Sequence, residues 1–450
     1  MSETYPTLGE ATKVWARIAA LSFGGPAGQI AVMHRILVEE KRWLGDERFL
    51  HALNFCMLLP GPEAQQLATY IGWLMHGVRG ALIAGLLFIA PGMLAIMALS
   101  WAYVVFGDVE LIQGVFFGLK AAVLAIVSQA VIRLAKRALK NAVMRSLAVA
   151  SFIAIFLLSV PFPVIVLSAA LTGWCGARFG LSSFVSGGGG AVAASQVGET
   201  NTLLEEGGYQ KHSVNGLIAA GIGALGLWLV PVALLVFFAP QSVFADIALF
   251  FSKLAVLTFG GAYAALGWVA QDAAGIYGWL APVEMLDGLG MAETTPGPLI
   301  MVLQFVGFLA AFREAGWATP LWAGTVGGLL TTLVTFAPCF AWIFLGAPIM
   351  ETLRKNVAIS AALTAVTAAV VGVILNLAIW FALHLIWEDV TAWGFGPITV
   401  ELPLLQSFNA PAALLSAAAL IAVFRFNLGL TVVLGGAALG GILFVFAGMV

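Results

Sequence analysis

Four short stretches of this chain combine glycine with proline, or pair glycines, in a way that would interrupt a helix: Gly24-Gly25-Pro26, Pro60-Gly61-Pro62, Gly260-Gly261 and Pro296-Gly297-Pro298. Proline removes a backbone donor and clashes with the preceding turn, so a helix stops and restarts around it. A restarted helix presents unpaired N–H groups and the positive end of its dipole, and both attract anions. A tetrahedral dianion would suit a pocket ringed by four such ends. The helices that begin after Pro62 and Pro298, with those after Gly25 and Gly261, supply these ends, and the backbone donors freed at the two Pro-Gly-Pro breaks have no other evident partner, which makes those breaks the expected anion site. The plainer reading of Gly24, Gly25, Gly260 and Gly261 is close helix packing.

Charged side chains inside apolar segments are costly there, so each is a functional candidate. Arg17 lies five residues before Ser22 and Lys253 five before Thr258, an equivalent pair, since 253 − 17 = 236. Two such cations suit a dianion; the alternative is that each snorkels to an interface. Lys120 stands alone inside the apolar segment 111–132. It reads as a substrate cation or a titratable group, or else as a lysine at a kink that reaches water. Glu63, just after the first Pro-Gly-Pro, could hold a coupled proton or act only as a helix N-terminal acid. Gln65, Gln66 and Tyr70 could add hydrogen bonds to an oxyanion, although only some can face inward. The five histidines, at 34, 51, 76, 212 and 384, and the three cysteines, at 56, 175 and 339, show no metal-ligand spacing. No Gly-Lys-Ser/Thr phosphate loop and no nucleophile–base constellation is present, so neither ATP, a cofactor, a nucleic acid nor enzymatic chemistry is expected.

These residues must be positioned by membrane helices. The chain has 450 residues, 61% hydrophobic and 9% charged, with a mean hydropathy of +1.02, whereas soluble domains carry about 25% charged residues. Stretches long enough to cross a bilayer recur, for example 82–106, 214–238 and 321–345. Residues 1–10 are polar and acidic, without secretory-signal features, so insertion is expected through the first hydrophobic segments. An internal repeat organises the chain. Ser22-Phe23-Gly24-Gly25 recurs as Thr258-Phe259-Gly260-Gly261, and Pro60-Gly61-Pro62 as Pro296-Gly297-Pro298, both at an offset of 236 (258 − 22 and 296 − 60). Trp43-Leu44 keeps that register with Trp279-Leu280, and Ala90-Pro91 matches Ala337-Pro338 after an insertion of 11 residues.

Phe23-Gly24-Gly25, the run Leu59-Pro60-Gly61-Pro62-Glu63-Ala64-Gln65-Gln66-Leu67-Ala68, and Gly72 followed by a second glycine-rich helix closely resemble the chromate ion transporter family in its long two-domain form. The resemblance is strongest over residues 15–130 and 250–375. It implies a multi-pass secondary transporter of the bacterial inner membrane that exports chromate, exchanges it against protons or another ion, and confers resistance. Sulfate, with the same charge and shape, is the competing substrate, and an anion channel the competing mechanism. A channel would need a continuous polar lining, whereas the polar groups here cluster at breaks.

The expected fold is therefore an all-α polytopic membrane protein of two homologous halves, with roughly 10–13 membrane helices, some broken or re-entrant. The halves span 1–178 and 241–450, separated by a glycine-rich linker, 179–213, and a bridging helix, 214–240; a homodimer is left open. Lys and Arg gather at 35–48 and 133–145, while the equivalent stretches 272–285 and 380–392 hold none and carry Asp272, Glu284, Glu388 and Asp389. The loop 107–110 is acidic, and its counterpart holds Arg354 and Lys355. Because cytoplasmic loops are enriched in Lys and Arg, this bias predicts that the halves are inserted upside down relative to one another. Segments 10–34 and 51–76 are either re-entrant or kinked full spans. Helical hairpins are expected at 147–177, turning at Pro161, and at 412–446, turning at Arg425.

Overall fold

The computed structural model describes residues 6–185, 214–259, 261–349, 356–396 and 398–449 and is 81% helical. Gly260, Arg354, Lys355 and nearly all of the glycine-rich linker lie outside the described residues.

Helix α1 (Leu8–Leu21) starts on a capping box, with Thr7 and Glu10 each satisfying the other's backbone N–H. After the first break come α2 (Gly25–His34), a π-helical turn at Arg35–Glu40, and α3 (Asp46–Cys56). Beyond Pro60-Gly61-Pro62 runs α4 (Glu63–Phe106), then α5 (Glu110–Ala138), α6 (Ala142–Leu158) and α7 (Phe162–Arg178). Helix α8 (Val214–Phe238) bridges to the second half, which repeats the order: α9 (Val243–Leu257), α10 (Ala262–Val269), a π-helical turn at Ala270–Ile276, α11 (Pro282–Thr294), α12 (Val302–Glu314), α13 (Pro320–Gly346), α14 (Val357–Ile386), α15 (Ala410–Phe424) and α16 (Leu430–Phe446). The π-helical turns overlap in register as well and end at equivalent residues, since 276 − 40 = 236.

Five of these helices, α4, α5, α8, α13 and α14, are long and apolar enough to cross a membrane. The chain is thus an all-α polytopic membrane protein. One antiparallel hairpin, β1 (Val390–Phe395) with β2 (Ile398–Pro403), departs from the all-helical expectation. Its β-branched and aromatic residues favour strand, and Gly396, at φ +60°, serves the turn. The expected hairpins are present as α6–α7 and α15–α16. Their helices are 15–17 residues long, or about 23–26 Å.

Helix α4 is two helices. His76 (φ −137°) and Gly77 (φ 62°, ψ −152°) leave helical geometry, and the chain folds back there. A Cβ on Gly72 would lie 2.5 Å from the Gly80 carbonyl oxygen, so the two arms meet backbone to backbone. The arm 63–75 is therefore the counterpart of α12, which turns back to pack on α13.

Two compact units result, and each draws on both sequence halves. The first comprises Met1–Met97, Gly188–Ala262 and Thr295–Ser360; the second comprises Ala98–Gly187, Tyr263–Thr294 and Ala361–Val450. The first is built around Trp15, Ile18, Leu37, Phe49, Leu67 and Ile343, all buried. In the second, α5 packs on α11, α15 and α16, with Leu119, Ala122 and Ile126 against Val423, Val433 and Leu434.

Candidate functional site

Helix α1 ends at Ser22, whose hydroxyl donates to the Ile18 carbonyl at 2.6 Å. Helix α9 ends in the same way at Thr258, whose hydroxyl donates to Leu254 at 2.7 Å. Each hydroxyl is spent on its own helix, which leaves the backbone carbonyl of the same residue as an acceptor. The Gly297 N–H donates to the Ser22 carbonyl at 2.9 Å, and the Gly61 N–H donates to the Thr258 carbonyl at 3.0 Å. Each half's Pro-Gly-Pro is therefore tied to the other half's Ser/Thr-Phe-Gly-Gly, and all four segments belong to the first compact unit.

The two glycines adopt one conformation, φ +109° at Gly61 and +110° at Gly297, which L side chains rarely adopt. A Cβ on Gly61 would stand 2.9 Å from Cys339 Sγ, and one on Gly297 would stand 2.9 Å from the Gly92 Cα. Gly92 and Cys339 follow Pro91 and Pro338, which the repeat makes equivalent. Each break is thus seated against the proline-bearing stretch of the other half's long helix.

The Gly61 and Gly297 amides thus have acceptors of their own, and the helix starts expected to attract an anion are those after Pro62 and Pro298. The donors left at these breaks belong to the residues that follow. Gln66 N–H donates to the Pro62 carbonyl and Met301 N–H to the Pro298 carbonyl. The amides of residues 64, 65, 299 and 300 precede them in the first turns of their helices, where no intrahelical acceptor exists. Gly24 (φ 81°) caps α2 without a side-chain bond, Gly25 (φ 70°) is its first residue, and Gly261 (φ 98°) precedes α10.

Several buried side chains around these ends are polar and uncharged. Gln66 Nε2 donates to the Pro60 carbonyl at 2.7 Å, Gln29 Nε2 to the Gly297 carbonyl, and Gln304 Nε2 to the Met93 carbonyl at 2.9 Å, while Gln304 Oε1 accepts from Thr332 at 2.7 Å. Gln65 Oε1, Gln66 Oε1 and Thr335 Oγ1 are buried without a hydrogen-bond partner, a state normally costly enough to call for water or a ligand. Gln29, Gln66 and Gln304 correspond in the repeat to Ala265, Val302 and Ala68, so the amides break the symmetry that the backbone keeps.

Apart from Glu63, the charged candidates lie elsewhere. Arg17 is half exposed and pairs with Glu40 at 2.7 Å, and Lys253 is exposed on α9. Glu63 occupies the first turn of α4, half-buried. Lys120 belongs to the second unit and is not alone, as it seemed in the sequence: its Nζ is 3.4 Å from Asp287 Oδ1, and the Tyr103 hydroxyl donates to Asp287 Oδ2 at 3.1 Å. A second buried acid, Glu293, accepts from the Tyr263 hydroxyl at 2.7 Å. Sequence reasoning missed both acids, although an Asp and a Glu among the Leu, Met and Gly of 285–293 were a usable signal.

The family model described as chromate transporter matches residues 9–174 and 245–442, which include every break and both partners of the Lys120–Asp287 pair. The chain belongs to the chromate transporter family. It is 32% identical to the chromate transport protein of Pseudomonas aeruginosa over 366 residues, 80% of this chain and 77% of that one. It is 29% identical to the chromate transport protein of Cupriavidus metallidurans over 423 residues, 94% of each, and 27% identical to the probable chromate transport protein of Synechococcus elongatus over 368 residues, 82% and 83%. No solved structure matches the chain. In this chromate transporter family member, the two segments of the family match are the two sequence repeats, whereas the linker and α8 fall between them.

Proposed function

We propose that this protein is a secondary carrier that exports chromate across the bacterial inner membrane, in exchange for protons or another ion, and so confers chromate resistance. The crossed bonds Gly61 to Thr258 and Gly297 to Ser22 carry the reading. They hold helix N-termini of both halves in matching geometry within one unit, beside buried amides and hydroxyls that bear no charge. Such donors select a desolvated oxyanion by shape and hydrogen bonding and leave it free to depart. The curated relatives named for chromate transport support chromate as the cargo. In this reading the site comprises Gly24, Gly25, Gly260, Gly261, Pro60, Gly61, Pro62, Gln66, Pro296, Gly297 and Pro298. Arg17 and Lys253 attract the anion from the exposed side, and the inverted Lys/Arg bias sets the halves in opposite orientations.

Sulfate presents the same tetrahedral dianion to these donors and is the competitor to test. Labelled chromate and sulfate are to be followed in membrane vesicles of known orientation, with and without a pH gradient. Chromate should move in the direction that corresponds to export, and excess sulfate should slow it. Sulfate movement without any chromate movement would overturn the assignment.

A further inference from the structure

A cavity of about 400 Å³ opens in the second compact unit, lined by Tyr103, Asp108, Gln113, Phe116, Lys120 and Asp287 among others. Gln113, Phe116 and Lys120 lie three and four residues apart, so they form one face of α5. Lys120 is ten residues into that helix, about 15 Å along its axis, or roughly half of a 30 Å hydrocarbon core. The cavity therefore leads from the acidic α4–α5 turn to an ion pair at membrane depth. Lys120 and Asp287 retain 15% and 5% of their side-chain exposure, so the lysine is the partner that still faces open space.

Each charge alone would be costly at the centre of a membrane helix, and the pair offsets that cost. Losing either charge leaves the other uncompensated. An oxyanion entering the cavity can replace Asp287 at Lys120 only if the carboxylate takes up a proton, because two anions cannot share one cation at this depth. The groups facing Asp287 are Lys120 from α5, Tyr103 from α4 and Glu284 on its own helix, with Asp108 in the cavity wall. Lys120 is the only cation among them.

We propose that the Lys120–Asp287–Tyr103 cluster is a proton-gated binding site for a small oxyanion, with Asp287 as the internal competitor that the incoming anion displaces from Lys120. The proposal rests on the oxyanion-carrier reading above and adds a sign to it. Proton and anion bind this site together, by the reciprocity of linkage, so each anion crosses with the proton on Asp287, and the ion exchanged for it at this site is not a proton.

The test is half-saturation for sulfate and chromate in proteoliposomes between about pH 6 and pH 8, for wild type, Asp287→Asn, Lys120→Gln and the double variant. Sulfate keeps its charge over this range, so its pH dependence belongs to the protein. Wild type should bind sulfate more tightly as pH falls. Asp287→Asn should bind tightly at every pH, and Lys120→Gln should weaken binding about tenfold or more at every pH. The double variant should fold, since no lone charge remains, yet bind as weakly as Lys120→Gln. Wild-type affinity and pH dependence in the folded double variant, or weakening by Asp287→Asn with wild-type pH dependence, would overturn the proposal. If wild type moves neither anion, the carrier reading falls. The cluster is then judged by whether sulfate raises Tm more at low pH in wild type, and equally at all pH values in Asp287→Asn. Absence of that difference would overturn the proposal as well.

Discussion

At Gly61 the backbone angle and the neighbour act together, since φ is +109° and Cys339 Sγ would lie 2.9 Å from an added Cβ. Replacing Gly61 or Gly297 with leucine is therefore expected to lower folded yield as well as transport; a residue forced into so sparsely populated a region costs about 1–3 kcal/mol. Gly92→Ala separates the two effects. No unfavourable φ is involved there, but the new Cβ would fall 2.9 Å from the Pro296 carbonyl oxygen. Gly92→Ala should lower transport per folded molecule while Tm falls less than in Gly61→Ala, and equal Tm losses would mean that close approach dominates at both. Arg17→Ala breaks a half-exposed pair with Glu40, which contributes about 0–1 kcal/mol. Stability should hardly move, so a fall in transport in Arg17→Ala and Lys253→Ala, partly restored by Arg17→Lys, would mark the charge itself as useful. Unchanged transport in both alanine variants would leave them as interface anchors.

Among the elements, the Pro-Gly-Pro breaks act as connectors as well as interruptions. Changing Pro60 and Pro62 to alanine together lets α3 and α4 run on toward one another. A continuous helix would cover its own N–H groups and withdraw the Gly61 donor from Thr258. Transport per folded molecule is expected to fall further than in Gly92→Ala, with Lys140→Ala, on a surface position, as the control. Transport at the control level would remove the first break from the site. The fold-back at His76–Gly77 belongs to this scale too. The segment ending at 76 was visible in the sequence, but the sharpness of the reversal was not, because it depends on Gly72 meeting Gly80 once the two arms are packed.

For the molecule as a whole, the two halves keep one order of elements, and the Lys/Arg bias predicts opposite insertion. Trp43 and Trp279 mark the equivalent turns, but both are buried and unsuited to labelling. Lys41 and Ile276 beside them are exposed. Single cysteines at these two positions, in a cysteine-free background, should react with an impermeant reagent from opposite sides of the membrane. Reaction from the same side would end the inverted-repeat reading.

Membrane class, repeat and break positions were legible in the sequence alone. Hydropathy over a helix length, proline's missing donor and a constant offset of 236 are properties of the chain itself and need no partner. The family resemblance rested on those same local runs. Tertiary structure decided which breaks meet, Ser22 with Gly297 and Thr258 with Gly61, and so gave the two glycine N–H groups their acceptors. It also brought Asp287 to Lys120, and it divided the molecule into units that each combine both halves. Hydrogen bonds and ion pairs between residues so distant in sequence leave no local periodicity, because each depends on packing that exists only after helices from both repeats have come together.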